Sequence, residues 1–160
     1  MLRKQVSKAI SSPPIPPLDA IDVAAVATVL VTSEDPAHPI DHTFDDSRGP
    51  GGSRWIAGER GEQTVILAFD SPQAIRRVAL EVEEPEVARI QELQLAVSTD
   101  GGRTYRELLR QEYNFSPPGT MFEMEDWVVN SDAVTHLRLV IRPDKGGKPC
   151  RATITSLVLR

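Results

Sequence analysis

Apolar and polar residues alternate with a period of two along much of the chain. In 91–98, Leu93, Leu95 and Val97 fall on one face. In 134–142, Leu137, Leu139 and Ile141 alternate with His136, Arg138, Val140 and Arg142. Segment 75–82 sets Ile75, Arg77, Ala79 and Glu81 against Arg76, Val78, Leu80 and Val82. Segments 22–32 and 63–69 are dense in β-branched strand formers, and 105–112 continues the pattern. Segment 152–159 closes the chain with Ile154, Leu157 and Leu159. A period of two buries one face of a strand and wets the other, the signature of antiparallel sheet. No segment carries a sustained 3.6-residue stripe. The best helical stretch, 83–95, is broken at its start by Pro85.

Turn residues separate these runs. Asp100-Gly101-Gly102 lies between two of them, as a hairpin turn tolerating positive φ requires. Asp144-Lys145-Gly146-Gly147 does the same near the C-terminus, and 48–52 is a Gly/Pro-rich loop. Short, closely spaced strands with glycine turns predict an all-β, antiparallel sandwich or barrel. The first residues differ. Pro13, Pro14, Pro16 and Pro17 fix φ and remove backbone donors, so 1–18 is expected to be an extended arm and 19–160 the folded domain. The arm reads either as a flexible leader or as a docking peptide for a partner.

Composition narrows the function classes. The 160 residues are 40% hydrophobic and 26% charged, enough for one domain with a proper core. The formal charge of −5 argues against a nucleic-acid binder. Cys150 is the one cysteine, so no disulfide framework supports the fold. Arg3, Lys4 and Lys8 are followed by no apolar stretch, and the most apolar run, 23–31, is too short to span a bilayer. The expectation from these features is a cytoplasmic protein without membrane partners.

One group of motifs is recognisable. Leu95-Ala96-Val97-Ser98-Thr99-Asp100-Gly101-Gly102-Arg103-Thr104-Tyr105 resembles the V-x-V-S-x-D-G-x-x-W hairpin of discoidin-like domains. These are also called coagulation-factor 5/8 C-type or galactose-binding-like domains. Upstream, Phe44-Asp45-Asp46, a Gly-rich loop and Ser53-Arg54-Trp55 are similar to that family's D-G-x-x-x-T-x-W element. Segments 63–69 and 74–80 match its paired strands, and 152–159 its last strand. The resemblance covers roughly 22–160 and implies a jelly-roll β-sandwich with ligand loops at one end. Its members include carbohydrate-binding modules, lipid or collagen binders and intracellular adaptors, so the fold alone does not choose the ligand. The terminal cysteine pair of secreted members is absent, and Asp46 stands where a glycine is usual. The resemblance also implies a structural calcium near this loop, with Asp45 and Ser53 as ligands. The last strand, however, offers Thr155 and Ser156 where the family has a glutamate. No other cofactor is expected.

Several clusters carry candidate chemistry. His38 and His42 flank Ile40 in the first long loop, among Glu34, Asp35 and Asp41. Imidazole and carboxylate can hold a metal or sugar hydroxyls. Pro36 and Pro39 rule against the helix a zinc pair at this spacing would need, which favours a solvated loop over a metal site. Glu81, Glu83, Glu84 and Glu86 run into Arg89. In sugar-binding relatives this loop carries an arginine that grips the sugar, which implies that role for Arg89, with Glu83 or Glu84 accepting hydroxyls. The alternative is an ordinary charged loop. Lys145, Lys148 and Arg151 cluster beside Arg142, either to bind a phosphate or acidic surface or as a solubilising hairpin tip.

Tyr113, Phe115, Met121, Phe122, Met124 and Trp127 bracket Ser116-Pro117-Pro118-Gly119. Exposed, they would form a protein-docking surface through Tyr113, Phe115, Phe122 and Trp127; buried, they would plug one end of the sandwich. No Ser/His/Asp arrangement or G-x-S-x-G can be assembled. The expected function is therefore a noncatalytic binding module. Carbohydrate is the first ligand class, through His38, His42, Glu83, Glu84, Arg89 and Arg151. The alternative is an intracellular adaptor using the 113–127 segment or the Pro-rich arm.

Overall fold

The computed structural model describes residues 20–160; the expected 1–18 arm lies outside the described residues. The described chain is an antiparallel β-sandwich of eight strands. These are β1 (Ala27–Val31), β2 (Trp55–Ile56), β3 (Gln63–Glu83), β4 (Arg89–Ser98), β5 (Arg106–Phe115), β6 (Phe122–Arg142), β7 (Thr153–Ile154) and β8 (Ser156–Leu159). One helical turn, α1 (Val23–Val26), precedes β1, and a 3₁₀ turn (Ile40–Phe44) lies in the first long loop.

The two longest strands serve both layers. The first part of β3 lies between β1 and the end of β6, with Val65 opposite both Val31 and Leu139. β4 pairs the other edge of β6 and β5 closes that layer, in the order β1-β3-β6-β4-β5. Register shifts between Ala68 and Arg77 then turn β3 into the second layer. There Leu80 pairs Leu157 of β8 on one side and Glu125 of β6 on the other. Segments 63–69 and 75–82, read from sequence as two strands, are thus one bent strand. Bulges absorb the change of direction while keeping the ladder going.

The alternating faces meet in one core. Leu95, Leu139 and Val65 form a row across three strands, and Val97, Leu137 and Leu67 the next. Cross-strand rows of this kind are the packing unit of a sheet. Trp55 is fully buried, and its indole N–H donates to the Ser33 carbonyl at 3.1 Å. The short pair β2–β7 is tied to β4 by Gln91, whose Nε2 donates to the Thr153 carbonyl at 3.1 Å and whose Oε1 accepts the Thr153 N–H at 3.3 Å.

Two expectations need correction. The 22–32 run begins as a helical turn, because the Asp22 carbonyl accepts the N–H groups of Ala25 and Val26 and alanine favours that conformation. The 113–127 segment is no exposed aromatic loop. Tyr113 and Phe115 are 2% and 1% exposed and stack at 6.3 Å between ring centroids, so they fill core and cannot dock a partner. Burial pushes the Tyr113 hydroxyl far above its ordinary range, with Glu125 and Glu123 adding to the effect. Trp127 packs against the core, and Phe122 is half-buried. The exposed large apolar residues here are Met121 and Met124, with Val128 just beyond the segment.

Candidate functional site

The long β1–β2 connection folds back on the loop that follows β3. The residue before a buried strand residue points the other way, so burying Trp55 turns Arg54 outward. Arg54 lines two adjoining cavities. The first, about 310 Å³, is bounded by His38, His42, Ser53, Arg54, Glu83 and Pro85. The second, about 270 Å³, is bounded by Arg54, Glu83, Glu84, Arg89, Cys150 and Arg151. The six ligand residues expected from sequence therefore gather around two neighbouring cavities with Arg54 and Glu83 as their common wall.

Backbone pairing fixes the histidines. The His38 carbonyl accepts the Ile56 N–H at 3.1 Å, and the Asp35 N–H donates to the Ile56 carbonyl at 2.8 Å. The His42 Nδ1 lies 3.2 Å from the Arg54 carbonyl. A carbonyl only accepts, so this contact places a proton on Nδ1 and, in the neutral ring, leaves Nε2 an acceptor. The two rings stand nearly perpendicular, 6.5 Å apart. The Asp35 carboxyl is held below its usual range, first by the Ala37 N–H and then by His38 and Arg151. It therefore stays ionised and holds Arg151 Nη1 at 3.0 Å.

The glycine loop forms the opposite rim. The Gly49 N–H donates to Glu81 Oε1 and the Gly51 N–H to Glu83 Oε2, each at 2.9 Å. Gly51 sits at φ 79°, in the left-handed region that glycine enters without strain. The carbonyl of Glu83 accepts from Arg54 Nη1 at 3.3 Å. The carboxylates of Glu81 and Glu83 thus position the loop.

Arg89 does not take the sugar-gripping role. It is 4% exposed, with Nη1 donating to the carbonyls of Arg151 at 2.7 Å and Pro143 at 3.1 Å. Its Nε approaches Glu84 Oε1 to 2.9 Å as an ion pair, although the N–H is not aligned for a hydrogen bond. Arg89 and Glu84 form the floor of the second cavity. Arg54 takes the outward place that Arg89 was expected to hold. The signal for this was its position beside a tryptophan destined for the core.

The calcium implied by the resemblance finds a poor donor set. Asp45 Oδ1 accepts the Ser47 N–H at 2.9 Å, and Oδ2 accepts the Ser53 hydroxyl. Among the described residues, no group of three His, Cys, Asp or Glu side chains gathers to hold a metal. Calcium takes 6–8 oxygen ligands, and a single carboxylate already engaged within its loop does not fit it. Thermal unfolding is expected to give the same Tm in 5 mM calcium and in chelator. A rise of several degrees with calcium would contradict this donor assignment.

No protein-family model matches the sequence, and no curated protein matches it. Solved structures do match the fold. A family 32 carbohydrate-binding module (CBM32-3) from a Clostridium perfringens family 31 glycoside hydrolase superposes with a TM-score of 0.63 at 12% identity, covering 88% of this chain and 93% of that one. A pectin-binding carbohydrate-binding module gives 0.63 at 17% identity, covering 84% and 90%. The family 32 module of C. perfringens NanJ, solved with galactose, gives 0.61 at 14%, covering 88% and 96%. The chain thus has the galactose-binding-like, discoidin-type sandwich, and its structural neighbours are carbohydrate-binding modules.

Proposed function

We propose that this chain is a noncatalytic carbohydrate-binding module that takes its ligand at the His38/His42/Arg54/Glu83 cavity. The observation that carries this reading is the convergence of two histidines and an arginine from the long β1–β2 connection with a glutamate from the end of β3 on one open cavity. A sugar presents hydroxyls that both donate and accept. The Nε2 lone pair of His42 accepts from one, and the guanidinium of Arg54 donates to another. The fold is one that binds galactose in a structural neighbour. The carboxylates around the site are engaged in holding the loop or in pairing Arg89, so they support binding rather than acid–base chemistry.

The test is a broad glycan array probed with the purified chain, followed by titration of the strongest glycan. Arg54→Ala is expected to weaken that binding about tenfold to a hundredfold, the loss for a hydrogen bond to a charged group. Tm should stay within about 2 °C, because Arg54 is half-exposed. A blank array, or full affinity in Arg54→Ala, would contradict the reading.

A further inference from the structure

The second cavity adjoins a third, about 530 Å³, which shares Arg60 and Pro149 with it. The three cavities therefore adjoin in a row, a groove running from His38 to the 142–149 loop. The far end is basic. Arg60, Arg142, Lys145 and Lys148 line it against Glu62 and Asp144. Asp144 is engaged by the backbone, accepting the N–H groups of Ile90 at 3.0 Å and Lys148 at 2.9 Å.

The lysines have partners: Lys145 pairs with Glu112, and Lys148 donates to the Ala88 carbonyl at 2.6 Å. The arginines do not. Among the described residues, neither the Arg60 nor the Arg142 side chain makes an ion pair or hydrogen bond. The cross-strand neighbour of Arg142, Glu92, lies 3.7 Å from Arg110 instead. Arg142 also sits near enough to Lys145 to oppose its charge. Unpaired guanidinium groups held close to like charge, on a protein of net charge −5, give the sandwich no stability. They do suit a planar, two-oxygen anion brought by a ligand.

We propose that the groove binds an acidic oligosaccharide, with one sugar in the His38/His42 cavity and a carboxylate- or sulfate-bearing sugar over Arg60 and Arg142. The proposal rests on the carbohydrate reading and gives it a ligand class. Glycans bearing uronate or sulfate should dominate the array over neutral glycans of the same length. Hits confined to neutral glycans would overturn the acidic ligand while leaving the carbohydrate reading intact; a blank array would overturn both.

Three probes settle the place and the source of the charge. Tetragalacturonate and its full methyl ester share one backbone and differ in the carboxyl, which the ester caps with a methyl group and strips of its charge, and a sulfated galactan tetrasaccharide carries sulfate in place of carboxylate. The acidic probe that binds should lose about tenfold in affinity in each of Arg60→Gln and Arg142→Gln. It should also weaken several-fold between 50 and 500 mM NaCl, and the methyl ester should be insensitive to both changes. Binding equal for acid and ester, or unchanged in Arg60→Gln/Arg142→Gln, would overturn the proposal. Cys150 lines the middle of the groove and is partly exposed. Bound ligand should therefore slow its alkylation by N-ethylmaleimide, and unslowed alkylation at saturating ligand would likewise count against the groove.

Discussion

Replacing Arg89 by alanine is expected to unfold the domain at markedly lower temperature while leaving no separate binding defect to measure. The guanidinium is buried and gathers three strands' ends. It holds Glu84 at the end of β3, the Pro143 carbonyl after β6 and the Arg151 carbonyl before β7. Removing one partner of a buried ion pair leaves the other uncompensated, at a cost of about 3–5 kcal/mol. The Pro143 carbonyl, buried in that contact, also loses its donor. For a domain of this size the loss corresponds to a fall of roughly 6–20 °C in Tm. Arg89→Lys should recover little, since an ammonium is a point donor and cannot span two carbonyls and a carboxylate. Urea unfolding of the variants measures this. A variant with unchanged stability and lost glycan binding would restore Arg89 as a sugar ligand and contradict its structural role.

Trp55→Ala should be comparably severe. Trp55 is among the largest fully buried side chains, and truncating a core tryptophan costs about 3–5 kcal/mol through lost transfer and the cavity left behind. The Ser33 carbonyl loses its indole donor as well. Because Trp55 opens β2 immediately after Arg54, its loss should also loosen the wall of the ligand cavity. Trp55→Phe refills most of the volume but not the hydrogen bond, so it should lie about 1–2 kcal/mol below the parent. Glycan affinity should fall further in Trp55→Ala than in Trp55→Phe at a temperature where both are folded. Chemical denaturation followed by calorimetric titration separates the two effects. Near-parental stability of Trp55→Ala would contradict the placement of this ring at the centre of the core.

How far the sequence could be read depended on which face carried the signal. Where leucines alternate with polar residues, as in 91–98 and 134–142, the strands and their buried faces follow directly. The same alternation extended back from Leu93 reaches Gln91 and Arg89, and across the β4–β5 ladder these face Tyr113 and Phe115. The inward position of Arg89 was therefore legible. A charged side chain suggested solvent, and its three partners come from distant parts of the chain. The first half of β6 misled for the opposite reason. Register places Glu123, Glu125 and Trp127 opposite Val82, Leu80 and Val78, on the inner face, and leaves Met124 and Val128 outside at 65% and 62% exposure. Polar-in, apolar-out inverts the usual rule, so nothing in 122–128 signals a strand.

The candidate site was legible as separate pieces. His38, His42, Glu83 and Arg151 were each marked by their chemistry, but 45 residues separate His38 from Glu83 in sequence. They meet only in the fold, His38 and His42 from the β1–β2 connection, Glu83 from the end of β3 and Arg151 from just before β7. Arg54 was hidden inside a motif read for its tryptophan. Arg60 had no motif at all, and its position between two cavities is a property of the folded surface.

The most direct test of the central claim is an amide chemical-shift map of the ¹⁵N-labelled chain titrated with the strongest glycan from the array. The account predicts that the largest shifts cluster on His38, His42, Gly51 to Arg54 and Glu83, with the 122–128 strand unmoved. Shifts centred on 122–128, or no saturable shifts around Arg54, would contradict it.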